Sequence, residues 1–218
     1  MKQNYETLKT RQRQERDCQP EGLKIRVHRA LSWLNMAEQT ADDDMRFIGL
    51  WIAFNAAYGV DSEYDRNSTG EQYNQFISKI IELDKEQLIY PLVWQQFTNS
   101  IRLILDNQYI YQPFWNHQNG QTNFAHWEDS FRKAKIAAQK MLMSKDSAGL
   151  LSVVFSRLYT LRNQIIHGGA SWNSTLNRSQ INDANKLLME LIPIIIKIMI
   201  DNPKEYWSQV SYPVLKSQ

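Results

Sequence analysis

From Leu23 onward the apolar residues return every three or four positions. Ile25, Val27, Ala30, Leu31, Leu34 and Ala37 form one stripe, which predicts an amphipathic helix. Asp42, Asp43 and Asp44 then cap and charge the start of a second helix, MRFIGLWIAFNAAYG, for which Gly59 is a natural terminator. Three adjacent aspartates also raise the thought of a metal site. Consecutive helical residues point in different directions, so helix-start electrostatics is the better account.

A third helix is expected over Glu71 to Leu83, with Tyr73, Phe76, Ile77, Ile80 and Ile81 on one side. A fourth runs from Lys85 to Asn107 through Leu88, Val93, Trp94, Phe97, Ile101 and Ile104, with Pro91 bending or restarting it near its front. Tyr109 to Asn123 reads as an aromatic, turn-rich connection. Its Tyr111 and Trp115 either pin the loop or offer rings to nucleobases. Helical spacing resumes over Trp127 to Met143, and again over Ala148 to His167 with Asp146 or Ser147 as cap. After the loop GGASWNSTLNRSQ a last helix covers Gln180 to Ile200, with Pro193 kinking or partly breaking it. No segment alternates like a strand, so the class is all-α.

The first 22 residues differ. Lys2, Lys9, Arg11, Arg13 and Arg16 stand among Glu6, Glu15 and Asp17, and Pro20 with Gly22 closes the stretch. This is either a mobile arm or a frayed leading helix, a solvated tail or a basic arm that touches RNA. Residues 23–218 are expected to form one helical domain.

At 218 residues, 43% hydrophobic and 22% charged, the chain can bury a full core without staples. A net charge of +2 does not by itself announce a nucleic-acid binder, although it leaves room for a local basic pocket. Cys18 is the sole cysteine, which removes an internal disulfide and a cysteine-based zinc site within one chain. No secretory pattern is visible, so a reducing cytoplasm is expected. The longest apolar run, Leu187 to Ile200, is interrupted by Glu190 and Lys197 and is shorter than the roughly 20 residues of a membrane span. It reads as a core or dimer helix, with no membrane partner.

Motifs for phosphate loops, serine elbows and paired zinc histidines are absent. His28, His117, His126 and His167 are scattered. His117 and His126 share a loop region without nearby cysteine or a carboxylate set, so no metal and no cofactor are expected. The missing acidic cluster argues against two-metal nuclease chemistry.

What remains is LRNQIIHGGA, Leu161 to Ala170. A plain structural reading is available. Arg or His near a helix C-terminus meets its partial negative charge, Gly168 suits the left-handed position beyond it, and Ile165 and Ile166 extend the core face begun by Leu150, Val154, Leu158 and Leu161. The chemical reading uses the same residues. Five positions separate Arg162 from His167, which sets them roughly 140° apart on an ideal helix, whereas Asn163 and His167 share a face. Two copies around a two-fold axis bring two arginines and two histidines to one cleft. Imidazoles can take a proton from a 2′-hydroxyl and give one to a leaving 5′-oxygen, while a guanidinium holds the phosphate. DNA lacks the 2′-hydroxyl, so this chemistry selects RNA.

Arg162-Asn163-Gln164-Ile165-Ile166-His167 resembles the Arg-polar-x-x-x-His signature of HEPN domains. RFIGLWIAFNAAYG, RNQIIHGGASWNSTLNR, LIPIIIKIMIDNP and the closing YPVL are similar, in order, to the bacterial Apea-like branch. The resemblance implies an antiparallel helical bundle with additional helices and a homodimer with the signature helices at its interface. It further implies a metal-independent endoribonuclease of toxin–antitoxin or phage-defence systems, restrained by an antitoxin protein, or an inactive relative that binds RNA or nucleotides or regulates a partner. By position, His167 is then the acid–base residue, Arg162 the phosphate cation, and Asn163 the group that orients histidine or phosphate. Some branches carry a tyrosine where this chain has Gly169, so a role for such a tyrosine is unsupported here. An earlier helix often adds a polar residue. Asn55 is the candidate, with a hydrogen-bonded buried asparagine as its alternative.

Overall fold

The computed structural model describes residues 3–59, 69–207, 210 and 212; Lys2 and Pro213 to Leu215, cited above, lie outside them. Among the described residues there are ten α-helices and no strand. The all-α class therefore holds. By compactness the chain falls into two units, Met1–Glu86 with Leu188–Gln218, and Gln87–Leu187.

The first unit contains α1 (Tyr5–Glu15), α2 (Glu21–Gln39), α3 (Asp43–Tyr58), α4 (Thr69–Leu83) and the later part of α10 (Arg178–Asp201). The polar leading segment is a capped, seated helix. Asn4 Oδ1 accepts from Thr7 N at 3.0 Å and Asn4 N donates to Thr7 Oγ1, a reciprocal cap that satisfies two orphan amides. Leu8 and Gln12 are buried, and Arg11 Nη1 stands 2.5 Å from Asp201 Oδ1.

Helices α2 and α3 pack along their length because both carry an apolar stripe, Leu23, Val27, Ala30, Leu31 and Leu34 facing Phe47, Leu50, Trp51 and Phe54. A Cβ at Gly49 would meet the flexible end of Met36, whose Cε would have to move aside. Asp42 is the N-cap of α3, accepting from Met45 N at 2.9 Å, and Gly59 ends the helix, as the sequence predicts. The α3 terminus has a second device. Buried Arg26 donates from Nη1 to the carbonyls of Ala57 at 3.1 Å and Gly59 at 2.9 Å. The last carbonyls of a helix have no following turn to accept from, so the guanidinium completes the helix end. Burial still draws Arg26 down to about 10.

The second unit contains α5 (Ile89–Pro91), α6 (Thr98–Asp106), α7 (Gln112–Gln118), α8 (Trp127–Ser144), α9 (Ser147–Ile166) and the start of α10. The single helix expected over Lys85 to Asn107 is broken. After Pro91 the backbone widens into a π-type turn over Leu92–Gln96, where Phe97 N bonds to Leu92 O at 3.0 Å, and α6 begins afresh. The expected connection over Tyr109 to Asn123 holds the short helix α7, with Pro113 in its first turn. Ile101, Ile104 and Leu105 of α6, Ala138 of α8, and Leu150, Val154, Phe155, Leu158 and Leu161 of α9 are buried. Pro193 sits inside α10, which is continuous through it.

Candidate functional site

Helix α9 carries the signature. Its start is fixed by Asp146, whose Oδ1 accepts from Gly149 N at 2.9 Å. Its buried side runs through Leu150, Val154, Leu158 and Leu161, as the spacing predicts. The isoleucines depart from that expectation. Ile165 is half-buried and Ile166 is 44% exposed. Five steps of about 100° carry Ile166 roughly 140° from Leu161, away from the buried stripe.

The helix ends at His167, whose amide donates to Asn163 O at 3.0 Å. Gly168 then takes φ +71, the left-handed conformation that glycine adopts without a Cβ penalty. This turn lifts the His167 side chain into solvent, where it is exposed and makes no hydrogen bond among the described residues. Arg162 is half-buried. Its Nη1 donates to Asn163 Oδ1 at 2.9 Å, while its Nε is buried without a hydrogen-bond partner among the described residues. A buried donor left unmet is uncommon and calls for a reason. No hydrogen bond joins Arg162 to His167. Asn163 instead touches both, one through its side chain and the other through its carbonyl.

Gln164, which no sequence motif singles out, organises the surroundings. Its Nε2 donates to Tyr109 O at 2.6 Å, its Oε1 accepts from Asn177 Nδ2 at 3.3 Å, and its carbonyl accepts from Ala170 N at 2.9 Å. The aromatic segment, the turn after His167 and the approach to α10 are thereby tied to the last turn of α9. Trp115 Nε1 also donates to Tyr109 O, at 2.7 Å.

Of the two rings weighed as base stackers, both serve the loop. Trp115 is held by that bond and by Phe114, centroids 5.1 Å apart. Tyr111 donates to Ser130 Oγ at 2.9 Å and lies under the Arg157 guanidinium, 4.1 Å from its ring centroid. Arg157 is buried, has no hydrogen bond among the described residues, and is held at about 10 by burial, with the Tyr111 phenol opposing that fall. Its charge is accommodated by the faces of Tyr111 and Phe131.

The remaining candidates belong to other elements. Asn55 belongs to α3 in the first unit, where it is half-buried and its carbonyl accepts from Gly59 N at 2.6 Å. His117 is in the last turn of α7 and His126 precedes α8, both exposed. Among the described residues no group of three or more His, Cys, Asp or Glu is placed to hold a metal ion, and no helix is long and apolar enough to cross a membrane. The site thus offers an exposed imidazole, a fixed cation with an unmet donor, and an amide between them. Compared with known proteins, the chain matches no family model, no curated protein and no solved structure.

Proposed function

We propose that this chain is a HEPN-like, metal-independent endoribonuclease acting as a homodimer. The observation that carries the reading is the end of α9, where a solvent-exposed His167 follows, by five residues, an arginine whose buried Nε has no partner among the described residues. Arg162 as a whole is half-buried and keeps some surface in solvent, where a phosphate oxygen is a suitable acceptor. The unit that holds them supports the assignment. Residues 87–187 carry ten Lys and Arg against five Asp and Glu, in a chain whose total is +2.

In this reading one His167 takes the proton from the 2′-hydroxyl. The 2′-oxygen attacks phosphorus, the P–O5′ bond breaks, and the protonated His167 of a second copy gives its proton to the leaving 5′-oxygen. The products are a 2′,3′-cyclic phosphate and a 5′-hydroxyl. Arg162 balances the charge that builds on the phosphate. One copy supplies one imidazole, so the concerted reaction calls for two. Ile166, Trp172 and Leu176, 44%, 76% and 85% exposed, flank the signature as apolar surface suited to self-association.

A second reading has an observation in its favour. Arg162 Nη1 is already held by Asn163, and no bond links arginine to histidine. The same surface then binds RNA or nucleotides without cutting, or regulates a partner such as an antitoxin protein. Incubating the purified protein with structured and unstructured RNA in EDTA separates the two. Cleavage with cyclic-phosphate ends, lost in His167→Ala and in Arg162→Ala while the dimer persists, is the expected result. Equal cleavage by His167→Ala overturns the assignment.

A further inference from the structure

We propose that Tyr109 forms a nucleobase subsite beside the α9 terminus, taking one base of a single-stranded RNA; the inference rests on the RNA reading above. Tyr109 is 51% exposed, and its one ring contact among the described residues is with Phe114, at 5.6 Å and 89°. A T-shaped contact covers at most one face of a ring, which leaves a face open to stacking. The residue is nonetheless firmly placed. Its amide donates to Asn107 Oδ1 at 2.8 Å, and its carbonyl accepts from both Trp115 Nε1 and Gln164 Nε2.

Behind it, Phe114 is backed by Trp127 at 5.0 Å and by Trp115 at 5.1 Å, so the wall supporting the ring is itself packed. A tyrosine held this way loses little freedom when a base covers it. The position matters as much as the rigidity. Gln164 grips the Tyr109 backbone from a point two residues beyond Arg162 and three before His167, on their own helix. Gln164 lies about 200° around the helix from Arg162 but only about 60° from His167, so a strand that reaches His167 has a base available to the ring. In a duplex the bases are already stacked and paired, so the subsite selects single strands.

The test uses the full chain carrying His167→Ala, which keeps the RNA uncut, with a labelled single-stranded oligoribonucleotide and the duplex of the same sequence. Tyr109→Ala and Tyr109→Leu should each weaken single-strand binding about tenfold, within the range of one lost base stack, and leave duplex binding unchanged. Tyr109→Phe should bind as the parent does. Unaltered single-strand affinity in Tyr109→Leu, equal losses on single strand and duplex, or no single-strand binding by the parent would each overturn the proposal. The ribonuclease reading fails separately. Tyr109-dependent binding without cleavage by the unsubstituted protein removes the catalysis and keeps the subsite, whereas His167-dependent cleavage indifferent to Tyr109 does the reverse.

Discussion

Asn163 Oδ1 accepts a hydrogen bond from Nη1 of its neighbour Arg162 at 2.9 Å. Adjacent residues on a helix point about 100° apart, so the arginine must reach sideways around the helix to make this bond. The amide therefore presets the guanidinium, and it also competes with any phosphate for one donor. Replacing it by a carboxylate strengthens the competitor into an ion pair. Asn163→Asp should lower RNA cleavage in EDTA by about a hundredfold, and Asn163→Ala by about tenfold, as losses of roughly 3 and 1.4 kcal/mol of transition-state stabilisation. If the alanine variant proves the more damaged, Asn163 acts on the histidine instead.

Local signals carried much of the fold. The Asp42 cap, the α3 stripe and Gly59 are read from consecutive residues, and the structure has each in that role. The broken helix near Pro91 was less legible, because its apolar spacing persists through a turn where the hydrogen-bond step changes from four residues to five. Helix α7 was hidden by its brevity and its aromatics, although Pro113 was a usable signal. In the site, the pattern of Arg162, Asn163 and His167 was visible along one helix. The tie from Gln164 to Tyr109 spans 55 residues of sequence, and no local period encodes such a contact.

Gln164 supplies a stability prediction. Gln164→Leu keeps bulk but leaves the Asn177 amide without its acceptor and Tyr109 O with one donor fewer. The Asn177 bond is partly buried and the Tyr109 bond exposed, and an ordinary hydrogen bond is worth about 0.5–1.5 kcal/mol. A loss of about 2 kcal/mol is expected in urea unfolding, with the thermal midpoint lowered by roughly 4–8 °C. Unchanged unfolding would mean that the three segments are held by other contacts.

Arg26 and Arg157 are both buried and both held at about 10, yet they should respond oppositely to substitution. Arg26 donates to main-chain carbonyls at the end of α3, so Arg26→Met strands those acceptors. Charged hydrogen bonds of this kind are worth about 1.5–3 kcal/mol, and a loss of that size is expected. Arg157 rests on aromatic faces alone. Arg157→Met retains contact with the Tyr111 and Phe131 rings and relieves the cost of a buried charge. It should fall within about 1 kcal/mol of the parent, while Arg157→Ala, which opens a cavity, should lose about 2–4 kcal/mol. Equal losses in the two methionine variants would remove the distinction.

His28 gives the protein an acid-sensitive component. Partial desolvation lowers the pKa of this largely exposed ring below the ordinary 6.5, and the charges of Lys9, Arg16 and Arg29 lower it further. Its Nδ1 lies 3.3 Å from Lys9 Nζ, so a neutral ring with Nδ1 unprotonated accepts a hydrogen bond from the ammonium, whereas an imidazolium has no lone pair to offer. The unfolded chain therefore binds a proton at higher pH than the folded one. Between the unfolded value and the lower folded value, unfolding takes up protons, and stability falls as pH falls. Above 6.5 both states are neutral and the contribution is flat; below the folded value it is flat again. Urea midpoints measured from pH 7.5 to pH 5 should therefore drop less steeply for His28→Asn, whose side-chain oxygen can still accept from Lys9, than for the parent. Parallel slopes would show that His28 titrates alike in both states, with the acid sensitivity arising elsewhere.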